Sequence, residues 1–201
     1  SQRFLAVNIQ DRRGDTVLHD LADGSAPFDN MNESMKHIIG LLPESQRSLV
    51  LYWQNGNGET VLHCLARSGN YELIEYMLAE LPESQRFVVR HMQNHCGETI
   101  LHCAVHSSNI KVVKLILALY PETELPQVLC TKTGRGIAFH SIALLGHWKY
   151  INTILALFPE TELLHAVYLK DDSGRTLLHH AADCDNYGAI KNILQLLPEL
   201  Q

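Results

Sequence analysis

Basic charge is scarce in this chain. Sixteen Lys and Arg residues stand against 22 Asp and Glu, for a formal net charge of −6. No basic run or stripe is present, so the phosphate backbone of a nucleic acid is excluded as the partner. Long apolar stretches are also missing. The longest, Leu115 to Tyr120, reads as a buried helix end and falls far short of the ~20 residues that a membrane-spanning helix needs, so no membrane insertion is expected. Cysteine is sparse and odd in number: Cys64, Cys96, Cys103, Cys130 and Cys184 include no C-x-x-C pair. That argues against a disulfide framework and for free thiols in a reducing, cytoplasmic compartment. Gly134-Arg135-Gly136 neither follows a strand nor matches a P-loop. The one chemical excess is histidine, with 12 residues.

Against these absences stands a repeat. Gly14-Asp15-Thr16-Val17-Leu18-His19 returns as Gly58-Glu59-Thr60-Val61-Leu62-His63, as Gly97-Glu98-Thr99-Ile100-Leu101-His102 and as Gly174-Arg175-Thr176-Leu177-Leu178-His179. A degraded copy ends at His140, with Ile137 where the others carry Thr. A proline closes an apolar run at Pro43, Pro82, Pro121, Pro159 and Pro198. From Pro43 to Pro82 and from Pro82 to Pro121 is 39 residues, so the module is 39 residues long, with a five-residue insertion in the first copy around Ser25–Asn30 and one deletion before His140. Residues 1–201 therefore read as one array of about five modules, led by His19, His63, His102, His140 and His179.

Within a module the periodicity is helical. Thr60 caps a first helix through Leu62, Leu65 and Ala66, and Gly69-Asn70 ends it. Leu73, Ile74, Met77, Leu78 and Leu81 form one apolar face of a second helix that Pro82 stops. Ser45, Ser84, Thr123 and Thr161 read as N-caps of a third, short helix such as Gln85 to Met92, with Pro126 tolerated in its first turn. The recurrent column Ile9, Trp53, Met92, Cys130 and Leu169 reads as a core ladder between modules. Two antiparallel helices cannot bury their apolar faces alone. Stacked neighbours can, which predicts an all-α repeat solenoid.

The Gly-x-Thr-x-Leu-His block, the helix pair and the Gly-Asn turn resemble the ankyrin repeat over nearly the whole chain, with Val, Ile or Leu where the family usually has Pro. Two departures stand out. The usual unit is ~33 residues, and here the extra length lies in segments such as Leu81-Pro82-Glu83-Ser84-Gln85-Arg86, where a third helix is expected beside or in place of the hairpin arm. Ile137 also removes the capping Thr, so the array is expected to loosen there. Long units of this kind are similar to ankyrin regions of effectors secreted by intracellular bacteria, which would place the protein in host cytoplasm. The chain opens and closes within the Leu-Pro-Glu-Ser-Gln-Arg element, which predicts a fragment of a longer protein.

The resemblance implies a protein-interaction scaffold without catalysis, cofactor or metal, whose partner, a host protein under the effector reading, lies on the concave face. The alternative is a substrate-recruiting module of a larger enzyme whose catalytic domain lies elsewhere. Alignment on the motif His gives the contact positions: Arg12, Arg13, Asn57, His95 and Lys132 at turn tips, Glu59, Glu98 and Arg175 before the motif Thr, and Arg67, His106, Leu144, Leu145 and Asp183 at the end of the first helix. Two readings are open for Leu144-Leu145: an apolar contact spot, or burial by local repacking. Phe28 in the insertion is equally a finger for a partner or a staple over the array end. The motif histidines are expected to bond backbone and the motif Thr, tying one unit to the next. A metal ladder is excluded, since zinc needs ligands within ~2.3 Å and stacked repeats hold equivalent side chains roughly 10 Å apart. Glu and Asp are read as solvated. Cys64 and Cys103 are read as inert core, Cys96 and Cys184 as surface thiols.

Overall fold

The threonine of each Gly-x-Thr-x-Leu-His block sits in extended backbone and the helix begins at the next residue, giving α2 (Val17–Ala22) after Thr16, α5 (Val61–Ser68) after Thr60 and α8 (Ile100–His106) after Thr99. The computed structural model describes residues 2–24, 30–134, 136–144, 151, 154–156 and 158–197. It divides into two compact units, Ser1–Leu119 and Tyr120–Gln201. The insertion around Ser25–Asp29, with Phe28, lies outside the described residues.

In the first unit, α1 (Gln2–Val7) precedes α2, and α3 (Met31–Gly40), α6 (Tyr71–Ala79) and α9 (Ile110–Leu117) are the second helices of successive modules. Gly69, left-handed at φ 74°, ends α5, and the Asn70 side chain accepts the Leu73 N–H to start α6. First helices pack on first helices, α5 between α2 and α8, and second helices on second, α6 between α3 and α9. Val61 to Ala66 are all buried, as a helix flanked on both sides requires. The third helix forms as expected, as α4 (Glu44–Arg47) with a 3₁₀ turn over Leu49–Tyr52, and as α7 (Glu83–His91).

The caps of that helix differ from the expectation. Pro43 and Pro82 occupy the extended N-cap position, and Ser45 and Ser84 lie within the first turn, as its second residue. The proline carbonyl accepts the first turn's amides, from Gln46 and Gln85, so no hydroxyl cap is required. The core ladder is also corrected. Ile9 is 70% exposed, Trp53 is 39% exposed and Met92 is half-buried. Trp53 and Met92 stand in extended backbone at the C-cap of the third helix, where the chain turns away from the core.

In the second unit, α10 (Leu125–Cys130) has Glu124 at its N-cap in place of Thr123, with Pro126 in the tolerated first turn. Lys132–Thr133 (β1) and Gly136–Ile137 (β2) pair antiparallel, so the hairpin arm persists alongside the third helix. α11 (Ala138–Leu144) packs on α13 (Leu177–Asp183), while α12 (Glu160–Tyr168) starts after an extended Pro159 and α14 (Tyr187–Leu196) is capped by Asn186. The deletion moves the fourth module's extended cap to Thr131, equivalent to Leu169, so Cys130 is half-buried within α10. No helix among the described residues is long and apolar enough to cross a membrane.

Candidate functional site

The turns leading into the four intact motifs are each built on an Asx side chain. Asp11 Oδ1 accepts the amides of Arg13 (2.8 Å) and Asp15 (2.9 Å). Asn55 Oδ1 accepts Asn57 and Glu59, Asn94 Oδ1 accepts Cys96 and Glu98, and Asp171 Oδ1 accepts Ser173 and Arg175. The second atom of each Asx group is then free to reach sideways. Gly58 (φ +73°) closes its turn in the left-handed region, and a Cβ there would lie 2.9 Å from the His95 amide nitrogen. Neighbouring tips join through main chain, Gly56 N–H donating to Arg13 O (2.8 Å) and His95 N–H to Asn57 O (2.9 Å). A glutamine ladder repeats the pattern, with the Gln10 amide on Gly14 O and Gln54 O and the Gln54 amide on Gly58 O and Gln93 O.

The motif histidine fastens one module to the next, as expected. The Thr60 amide (3.2 Å) and hydroxyl (2.8 Å) face His63 Nδ1, so that nitrogen accepts and Nε2 carries the proton it donates to Glu98 O (3.1 Å). His19 does the same with Thr16 and Glu59 O (2.9 Å). Burial pushes the His63 imidazole down to about 4, and lowers that of His19.

Beneath the face lie two carboxylates that the sequence reading placed in solvent. Glu59 is 6% exposed and Glu98 0%. Glu98 is therefore out of reach of a surface partner, and Glu59 shows only a sliver of its surface. Arg67 pairs with Glu59 and lies 3.5 Å from Glu98, while the Asn94 amide donates to Glu98 Oε2 (2.8 Å) and Glu59 Oε1 (3.4 Å). Burial works to raise the Glu59 carboxyl, and the hydrogen bond and charge of Arg67, with Asn94, outweigh it and hold the group below its usual range. His106 Nε2 lies 3.5 Å from Glu98 Oε1.

These contacts expose a rule of spacing. The residue before the motif Thr pairs with the residue eight positions on, at the end of the first helix: Glu59 with Arg67, Glu98 with His106 and, with signs reversed, Arg175 with Asp183. The first module puts two acids there, Asp15 and Asp23. Arg13 serves Asp15 (3.2 Å), Asp20 (2.9 Å) and Asp11 (3.4 Å), and among the described residues no cation pairs with Asp23. A cavity of about 360 Å³ opens at this point, lined by Asp15, Asp20, Asp23 and Glu59 against the single cation Arg13.

The other expected contact residues fall as follows. Arg12, Arg13, Asn57, His95 and His106 are exposed, and Arg67 is half-buried. In the second unit Lys132 and Asp183 are exposed, paired with Asp172 and Arg175, and Arg175 is half-buried. The side chain of Leu144, and all of Leu145, lie outside the described residues. Cys64 and Cys103 are buried, with burial pushing both thiols up to about 12; Cys96 and Cys184 are exposed. Phe87 and Val88 on α7 are exposed apolar residues that sequence reasoning missed. The signal was Phe87-Val88-Val89, since three consecutive apolar residues cannot share one helix face.

A protein-family model described as ankyrin repeats (3 copies) matches residues 25–128, just over half of the 201 residues. No curated protein matches the chain.

Proposed function

The chain belongs to the ankyrin-repeat family, whose members are generally protein-interaction modules, and from that premise we propose that the acidic cavity of the first module holds a Lys- or Arg-bearing segment of a partner protein. The observation that carries this reading is the Asp15–Asp23 position, where two like charges stand in place of the ion pair that other modules make. A partner's cation at Asp23 would restore that pairing. Asp23 also sits at the C-cap of α2, where a negative charge opposes the helix dipole by about 0.3–1 kcal/mol. The scaffold gains nothing from the residue, which favours a role in recognition. Exposed Arg12, Asn57 and His95 at neighbouring tips would contact the flanks of the segment. The Leu-Pro-Glu-Ser-Gln-Arg element, by its likeness to ankyrin regions of secreted bacterial effectors, favours a host protein met in host cytoplasm as that partner.

Selection from a random peptide library tests the reading. The expected result is enrichment of Lys and Arg, affinity that falls with salt, and about tenfold weaker binding by the D20N/D23N variant. D23N alone should leave the scaffold as stable or more stable. Enrichment without basic residues, or unchanged affinity in the double variant, would refute it.

A further inference from the structure

In the fourth module Ile137 replaces the motif Thr, and the consequence is visible in its histidine. His140 is 2% exposed and donates through Nε2 to Leu169 O (3.1 Å), as its equivalents do to their next module. Its Nδ1, which a Thr amide and hydroxyl satisfy elsewhere, is buried with no hydrogen-bond partner. With Nε2 protonated, Nδ1 presents a bare lone pair. The ring of His180 stacks on that of His140 with centroids 5.1 Å apart, and His180 Nε2 lies 2.9 Å from Asp171 Oδ2. One donor atom from each of the three side chains lies within 4.8 Å of the others.

We propose that His140, Asp171 and His180 form a binding site for one zinc-class divalent cation, held between two consecutive modules, with water completing the shell. Two imidazoles and a carboxylate are a donor set that suits zinc, and the Nε2–H bond from His140 to Leu169 O is the outer-shell contact that orients a ligating imidazole. A tetrahedral zinc with bonds of ~2.05 Å sets its ligands about 3.4 Å apart, so His180 Nε2 and Asp171 Oδ2, now 2.9 Å apart, would part slightly while atoms as far apart as 4.8 Å would close by at most about 1.4 Å, a shift the half-buried His180 can supply. Asp171 keeps Oδ1 on the turn amides and offers Oδ2 to His180. The nearby cations serve other acids, Lys132 pairing with Asp172 and Arg175 with Asp183. The cluster of Glu59, Glu98 and Cys103 is different: the Arg67 guanidinium already occupies it, and its thiol stays protonated.

The test is calorimetric titration of ZnCl₂ into untagged, chelator-stripped full chain, with the Co²⁺ absorption spectrum as a second readout. One equivalent should bind, with nitrogen–oxygen ligation and a thermal midpoint that rises with zinc concentration. H180Q and D171N should each weaken binding by at least about tenfold; D171N keeps the Oδ1 turn acceptor that Asn55 and Asn94 supply in other modules. C96S and C184S should change nothing. I137T should raise the midpoint of the metal-free protein, by giving His140 Nδ1 its partner, and weaken zinc binding. Absence of stoichiometric zinc, equal affinity in H180Q and D171N with native circular dichroism, or loss of binding in C96S or C184S would overturn the proposal.

Discussion

Acidification should loosen the first unit before its carboxylates titrate, and His63 sets the size of the effect. Its ring is neutral in the fold because Nδ1 faces the Thr60 amide and hydroxyl and the site is fully buried. The folded value, about 4, lies below the ordinary 6.5. Between those values the unfolded chain binds the extra proton, so stability is complete above about pH 6.5 and is lost as pH falls toward 4. The full loss is about 3 kcal/mol, and about 2 kcal/mol is gone by pH 5; His19 adds in the same direction. Against a total of about 5–15 kcal/mol this is a large share. The Glu59 carboxyl, also lowered, contributes stability that is lost only below about its ordinary 4.5, so the range from pH 6.5 to 5 isolates the histidines. Urea denaturation at pH 7.5, 6 and 5 should show the midpoint falling by about 1 M. An H63N variant should start less stable at pH 7.5 and lose most of this dependence. A midpoint that stays level to pH 5, or falls equally in H63N, would refute the assigned ring state.

Three further outcomes follow from the packing. R67M should cost about 3 kcal/mol in chemical denaturation at pH 7.5, because Glu59 would remain buried without its cation, and its deficit relative to the parent chain should narrow on mild acidification. G58A should lose about 1–3 kcal/mol, since its φ of +73° and the His95 amide both refuse a Cβ. In a thiol-reagent assay at pH 8, Cys96 and Cys184 should react quickly. Cys130, half-buried and pushed up to about 11, should react slowly, and Cys64 and Cys103 only on unfolding.

Elements that answer to one packing problem were legible in the sequence. Repetition of Thr60-Val61-Leu62-His63 located the first helices, and the face of Leu73, Ile74, Met77 and Leu78 the second. The third-helix caps were misread because Ser is a good cap in general, whereas here an extended proline precedes it and supplies a carbonyl to the first turn. Trp53 was misread for a related reason. Recurrence marks a structural role, and at this position the role is an extended backbone; the side chain is left outside. Glu59 and Glu98 were placed in solvent because burial of a charge depends on a partner, and that partner, eight residues on, shows only when the modules are compared at two positions together. The unsatisfied nitrogen of His140 was foreshadowed by the missing Thr, but its neighbours Asp171 and His180 come from the following module.

The main-chain links between turn tips, from Gly56 to Arg13 and from His95 to Asn57, use no side-chain atom. Register between neighbours is thus fixed independently of what the tips display. Arg12, Asn57 and His95 can accordingly be randomised as a set to build binders of new specificity, with the glycines, Asx anchors and motif histidines held constant and little penalty to folding.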